Sequence, residues 1–116
     1  MAPQISLNTL YEMKNKKDKI KNATFDEIIH KCHAKIKKTA SSGGQFIFFE
    51  IPYVLIGKPL YKIGDSVEYI YNALKKNGLF VNVLEPPNIN ILYISWAPTD
   101  INKRKLLKND NYINNL

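Results

Sequence analysis

Residues 65–96, DSVEYIYNALKKNGLFVNVLEPPNINILYISW, decide the fold class. The first half has helical spacing: Val67, Ile70, Tyr71 and Leu74 fall at i, i+3, i+4 and i+7, one apolar stripe. Asp65-Ser66-Val67-Glu68 reads as a capping box at its start, and Asn77-Gly78 as a left-handed cap at its end. The second half changes period. Residues 79–84 and 90–96 are rich in β-branched and aromatic side chains, and Glu85-Pro86-Pro87-Asn88 separates them. That pattern predicts two strands joined as an antiparallel hairpin by a stiff connection. A helix feeding a hairpin places the chain in the α+β class.

Working outward, residues 45–51 (Gln-Phe-Ile-Phe-Phe-Glu-Ile) are apolar on both faces. They predict a strand covered on both sides, with Phe46, Phe48 and Phe49 in the core, and Pro52 ends its pairing. Further upstream, Thr24-Phe25-Asp26-Glu27 is a second capping-box pattern, predicting a helix that starts there. Phe25, Ile28, Ile29, Cys32 and Ile36 form its stripe, and Gly43-Gly44 its stop. Leu7, Leu10, Tyr11 and Met13 suggest a separate, shorter helix from about Asn8, whose apolar pattern thins after Met13. The expected order is therefore α-α-β-α-β-β: two N-terminal helices, then strand-helix-strand-strand. Strands one and two are read as a parallel crossover through a helix, with strand three antiparallel to strand two, giving a three-stranded mixed sheet packed by helices. Residues 1–96 form one domain, divided into a basic helical part (1–44) and a neutral sheet part (45–96). Residues 97–116 are expected to be a poorly ordered, basic, Asn-rich tail with room for one helical turn around Ile101, Leu106 and Leu107.

The chain has 116 residues, enough for one core and too few for two domains. Lys+Arg outnumber Asp+Glu 17 to 10, a net +7, which attracts acidic partners without naming them. The excess is local: net +5 over residues 1–44 (nine Lys, four acids), zero over 45–98 (four and four), and +2 over 99–116 (four and two). Arg104 is the only arginine, which disfavours bidentate reading of guanine. Asn and Ile are also abundant, at 13 and 15 residues, so an A/T-rich coding background accounts for part of the lysine excess. With one cysteine, Cys32, neither an internal disulfide nor a multi-cysteine zinc site can form. The N-terminus lacks the basic start of a secretion signal and no apolar run is long enough to span a bilayer. An intracellular protein, not secreted and not inserted in a membrane, is expected.

No constellation calls for a catalytic residue, a metal or a cofactor. His30-Lys31-Cys32-His33 offers the only local set of ligand-type side chains, but Cys32 continues the apolar stripe and the histidines lie on its flank. A thiol buried in that way is not a nucleophile. Ser41-Ser42-Gly43-Gly44-Gln45 has the glycines of a phosphate loop without its spacing, and it follows a helix where a P-loop follows a strand. The lysines are the remaining candidates. Lys14, Lys16, Lys17 and Lys21, with Lys31, Lys35 and Lys38 on the following helix, are read as contacts for nucleic acid or an acidic partner through nonspecific phosphate or carboxylate pairing. The same runs also fit a solvated helix face. Tyr53, Tyr61 and Tyr69 are read as protein-partner contacts, because amphipathic rings suit surfaces that are dry at one end and wet at the other. The same rings equally suit the rim of the core.

Ile5-Ser6-Leu7-Asn8-Thr9-Leu10, the lysine-rich first helix and above all residues 65–96, with Lys-Lys-Asn-Gly and the closing Ile-Ser-Trp, resemble a family of small uncharacterised proteins of nucleocytoplasmic large DNA viruses. The resemblance covers most of residues 5–96 and not the tail. It implies a virus-encoded protein, packaged in the virion or used in its assembly, and it carries no catalytic residue. The function expected is that of a non-enzymatic structural or assembly protein, found in infected-cell cytoplasm and the virion and bound to other virion components. The alternative is a sequence-independent nucleic-acid-associated protein using the N-terminal lysines. An exposed strand edge would also permit a homodimer.

Overall fold

A computed structural model of the chain describes residues 2–104. Ser6 opens the first helix: its hydroxyl oxygen accepts the Thr9 amide at 3.0 Å. The helix that follows, α1 (Leu7–Ser41), runs 35 residues without a break, about 52 Å at 1.5 Å per residue. Two helices were expected here, and one is found. Thr24 is not a cap, because its hydroxyl donates to the Ile20 carbonyl one turn back at 3.0 Å. Residues 14–23 contain no Gly or Pro and place Glu12 before Lys16 and Lys14 before Asp18 at i, i+4. Apolar periodicity marks where a helix is packed, and its fading after Met13 marks only the loss of a packing partner.

The remaining elements are β1 (Phe46–Glu50), α2 (Ile63–Lys76), β2 (Phe80–Val83) and β3 (Ile91–Ser95), with residues 98–104 helical again. Helix α2 starts before the expected box, at Ile63, so Asp65 falls inside its first turn and the Ser66 hydroxyl donates to the Ile63 carbonyl at 2.7 Å. Its end is as expected: Gly78 takes φ +89°, a conformation that disfavours any residue with a Cβ. The predicted hairpin forms, with β2 and β3 antiparallel. The sheet, however, is not mixed. Its order is β1-β3-β2, and β3 is antiparallel to both neighbours. β1 and β2 do run the same way across the α2 crossover, but β3 occupies the place between them. The strand with the most buried residues is thus the central one, where Leu92, Ile94 and Ser95 are buried.

One layer of helix covers one face of this sheet. Ile47, Phe49 and Ile51 from β1 and its end, Val81 from β2, and Leu92 and Ile94 from β3 meet Phe25, Ile28, Ile29 and Cys32 of α1 and Ile70 and Leu74 of α2. The core therefore uses only α1 residues from Thr24 onward. Contrary to expectation, β1 is covered on one side only: Phe46 and Phe48 alternate outward and stay about half exposed, while Phe49 faces in. Helices α1 and α2 fill one face of the three strands, and among the described residues only the segment after β3 approaches the other, where Tyr93 meets Asp100. Residues 98–104 are tied down by two contacts, Tyr93 donating to Asp100 at 2.8 Å and Arg104 donating to the Lys75 carbonyl at 2.8 Å. Ile101 lies in this segment, and Leu106 and Leu107 lie outside the described residues.

Candidate interaction surfaces

The three candidate tyrosines separate. Tyr61 and Tyr69 both pack on Phe25, each with its ring centroid 5.4 Å away. Their hydroxyls are used internally, Tyr61 donating to the Pro52 carbonyl and Tyr69 to the Asp26 carboxylate at 2.8 Å. Burial pushes the Tyr61 phenol up, and the bond to Asp26 does the same to Tyr69. Both rings therefore clamp α1 to the loop and to α2. Tyr53 is exposed.

The lysines also fall into two groups. Lys14, Lys16, Lys17 and Lys21 lie along the part of α1 that precedes the core, an arm that also exposes Leu7, Leu10, Tyr11, Met13 and Ile20. Leu7, Leu10 and Tyr11 stand 18 residues, five full turns, before Phe25, Ile28 and Ile29, so they prolong the core stripe into solvent. Lys21 braces the arm: its ammonium meets the Asp65 carboxylate at 2.9 Å and holds that carboxyl below its usual range. Between the arm and residues 59–65 runs a groove of about 980 Å³. Lys31, Lys35 and Lys38 sit beyond it on exposed positions, and Lys35 donates to the Phe48 carbonyl at 2.7 Å.

A further surface lies on the outer face of the sheet, where Tyr93 is ringed by aromatic neighbours. Its centroid is 5.4 Å from Phe48, 5.7 Å from Phe46 and 6.1 Å from Phe80. Edge and tilted arrangements of this kind are favourable in themselves, but water still reaches the rings. Contiguous apolar surface of that sort marks a binding face more often than isolated exposed side chains do.

The family model described as a family of unknown function (DUF5759) matches residues 5–75. The chain belongs to this family. The matched residues take in α1, β1 and all but the last residue of α2, so the hairpin of residues 80–95 lies outside the match. An uncharacterized protein of Acanthamoeba polyphaga mimivirus is 29% identical over 91 residues, covering 75% of this chain and 72% of that protein. The resemblance to an uncharacterised family of large DNA viruses is thereby established, with the family match falling on residues 5–75 and not on the hairpin. No solved structure matches.

Cys32 is fully buried, and burial pushes its thiol up from 9.0 to about 12, with nearby Lys35 opposing. No group of three His, Cys, Asp or Glu side chains converges on a metal-sized site among the described residues. His33 points towards the Asn77 amide, 3.5 Å away, rather than to Cys32. No described helix is long and apolar enough to cross a membrane. Sequence reasoning missed the aromatic outer face and the groove. The first was signalled by a two-faced apolar strand in a chain with too little amphipathic helix to cover both faces. The second was signalled by Met13 and Ile20, apolar residues stranded among lysines.

Proposed function

We propose that this chain is a non-enzymatic interaction protein of a large DNA virus, used in building the virus particle and retained in it. The observation that carries this reading is the aromatic face formed by Phe46, Phe48, Phe80 and Tyr93, on which Phe46 and Phe48 stay about half exposed among the described residues, on a domain whose other sheet face is filled by its own helices. The non-enzymatic part is supported by the buried thiol and by carboxylates already engaged within the chain: Asp26 by Tyr69, Asp65 by Lys21 and Asp100 by Tyr93. The test is quantitative proteomics of purified particles from virus carrying either the parent chain or Phe46→Ser/Phe48→Ser. Both side chains are about half exposed and outside the buried core, so the double variant is expected to fold, with a circular dichroism melt as the check. The parent chain is expected in particles and the variant depleted from them. A parent chain confined to infected-cell extract, or a variant packaged equally well, overturns the reading.

A second reading, sequence-independent contact with nucleic acid, is favoured by the exposure of Lys14, Lys16 and Lys17 along the arm. Its signature is duplex binding that weakens steeply as salt rises. Flat or absent binding at low salt removes it.

A further inference from the structure

The groove between the arm of α1 and residues 59–65 has an apolar floor and a basic rim. Met13 and Ile20 from the arm and Pro59, Leu60 and Tyr61 from the loop supply the floor. Leu60 is 84% exposed, Met13 62% and Ile20 45%, so the floor is open to solvent. Lysines 14, 16, 17 and 62 stand along it against Asp18, because Lys21 and Asp65 neutralise each other at its inner end. Residues 13–24 extend about 16 Å along the helix axis, the length of three helical turns.

We infer that this groove is the docking site for an acidic amphipathic helix of a partner protein. The apolar stripe of that helix lies on Met13, Ile20 and Leu60, and carboxylates flanking the stripe meet Lys14, Lys17 and Lys62. The inference rests on the reading of the chain as a protein-binding component, and it names the chemistry of one partner. Charge decides the occupant. A second copy of the arm would bring one lysine wall against another, and like charges in close register cost affinity. Nucleic acid would use the lysines and leave Leu60 and Met13 in water. An acidic helix with an apolar stripe satisfies both sets at once, the apolar contact fixing it in the groove and the charges guiding its approach.

The probe is a fluorescein-labelled helical peptide of about 14 residues with Leu at i, i+3, i+4 and i+7 and Glu on the flanks. It is titrated against the full chain, beside a peptide of identical composition with the Leu residues scattered and a duplex of about 20 base pairs, comfortably longer than the arm. The amphipathic peptide is expected to bind at least tenfold more tightly than the scattered one. Leu60→Glu and the pair Lys14→Glu/Lys17→Glu, all at exposed positions, are each expected to weaken it at least tenfold while leaving the circular dichroism melt unchanged. Equal binding of the two peptides, indifference to Leu60→Glu, or duplex that displaces the peptide from the groove overturns the inference. Any of these with the parent chain still present in purified particles condemns the groove alone. Selective peptide binding by a chain absent from particles condemns the packaging role instead.

Discussion

The Lys35 ammonium donates to the Phe48 carbonyl at 2.7 Å, joining the C-terminal part of α1 to the middle of an edge strand. In the β1–β3 ladder, Gln45 and Ile51 bond to Trp96 and Asn90, so by alternation Phe46, Phe48 and Glu50 turn their backbone groups to the open edge. Such an edge templates pairing with another chain, and a lysine placed across it is one way natural sheets prevent that. Lys35→Ala is therefore expected to fold, with a cost of no more than about 1–2 kcal/mol for one exposed hydrogen bond. It is also expected to self-associate: light scattering at rising concentration should give a larger mean mass than for the parent. Equal masses across the concentration range would show that the edge is protected by something else.

The two faces of the sheet give opposite expectations for two phenylalanines. Phe25 is 1% exposed and holds both Tyr61 and Tyr69 against its ring. Phe25→Ala should cost about 3–5 kcal/mol and leave the clamp between α1 and α2 without its centre. Phe48, at 50% exposure on the outer face, should cost less than about 1 kcal/mol on the same substitution. Urea unfolding of both variants checks the difference, and equal losses would mean that the outer face is packed in solution.

The parts of the fold that were legible in the sequence are those where local chemistry and packing agree. Val67, Ile70 and Leu74 with Gly78 gave the second helix and its end, and the prolines between two β-branched runs gave the hairpin. Thr24 misled because a hydroxyl followed by Glu three residues later satisfies a helix start on paper, while in a continuous helix the same hydroxyl bonds to the preceding turn. The sheet order was not legible, since a β-α-β crossover reads alike whether its strands are neighbours or leave a gap for a third. The aromatic face was hidden by the same ambiguity, because β1 is apolar at every position but its Glu50 end and reveals which side is covered only once the helices are placed. At the lysines, sequence gave the charges and not the division between the groove and the sheet edge, which depends on where Leu60 and Phe48 fall.

The arm should be the least protected part of the described helices. A lysine-rich helix of about 17 residues that adds no residue to the buried core is marginal in water, and cooperative continuity with the packed half sustains it. Amides of residues 10–19 are expected to exchange with deuterium far faster than those of residues 25–36, which pack on the sheet. Asp65→Asn, which removes the charge paired with Lys21, should extend the fast region towards Thr24 and leave the exchange of β3 unchanged. Uniform protection along α1 would mean that the arm is covered.

Stability should fall on the alkaline side, and Cys32 sets where that begins. Its thiol titrates near 9 when the chain is unfolded and at about 12 when buried. Between those values the unfolded chain holds fewer protons than the folded one, so unfolding becomes more favourable as pH rises, by at most about 1.4 kcal/mol per pH unit for one group. Its stabilising contribution is complete below pH 9 and is lost progressively above it. Tyr61, raised by burial, and Tyr69 and Tyr93, raised by their bonds to Asp26 and Asp100, act with the same sign from about pH 10 upward. Urea midpoints should therefore be level from pH 7 to 8.5 and drop by pH 10, and Cys32→Ala should remove the part of the drop that falls between 9 and 10. A midpoint unchanged through pH 10 in the parent chain would place the thiol in contact with water, and a thiol reagent would then label it in the folded state without waiting for unfolding.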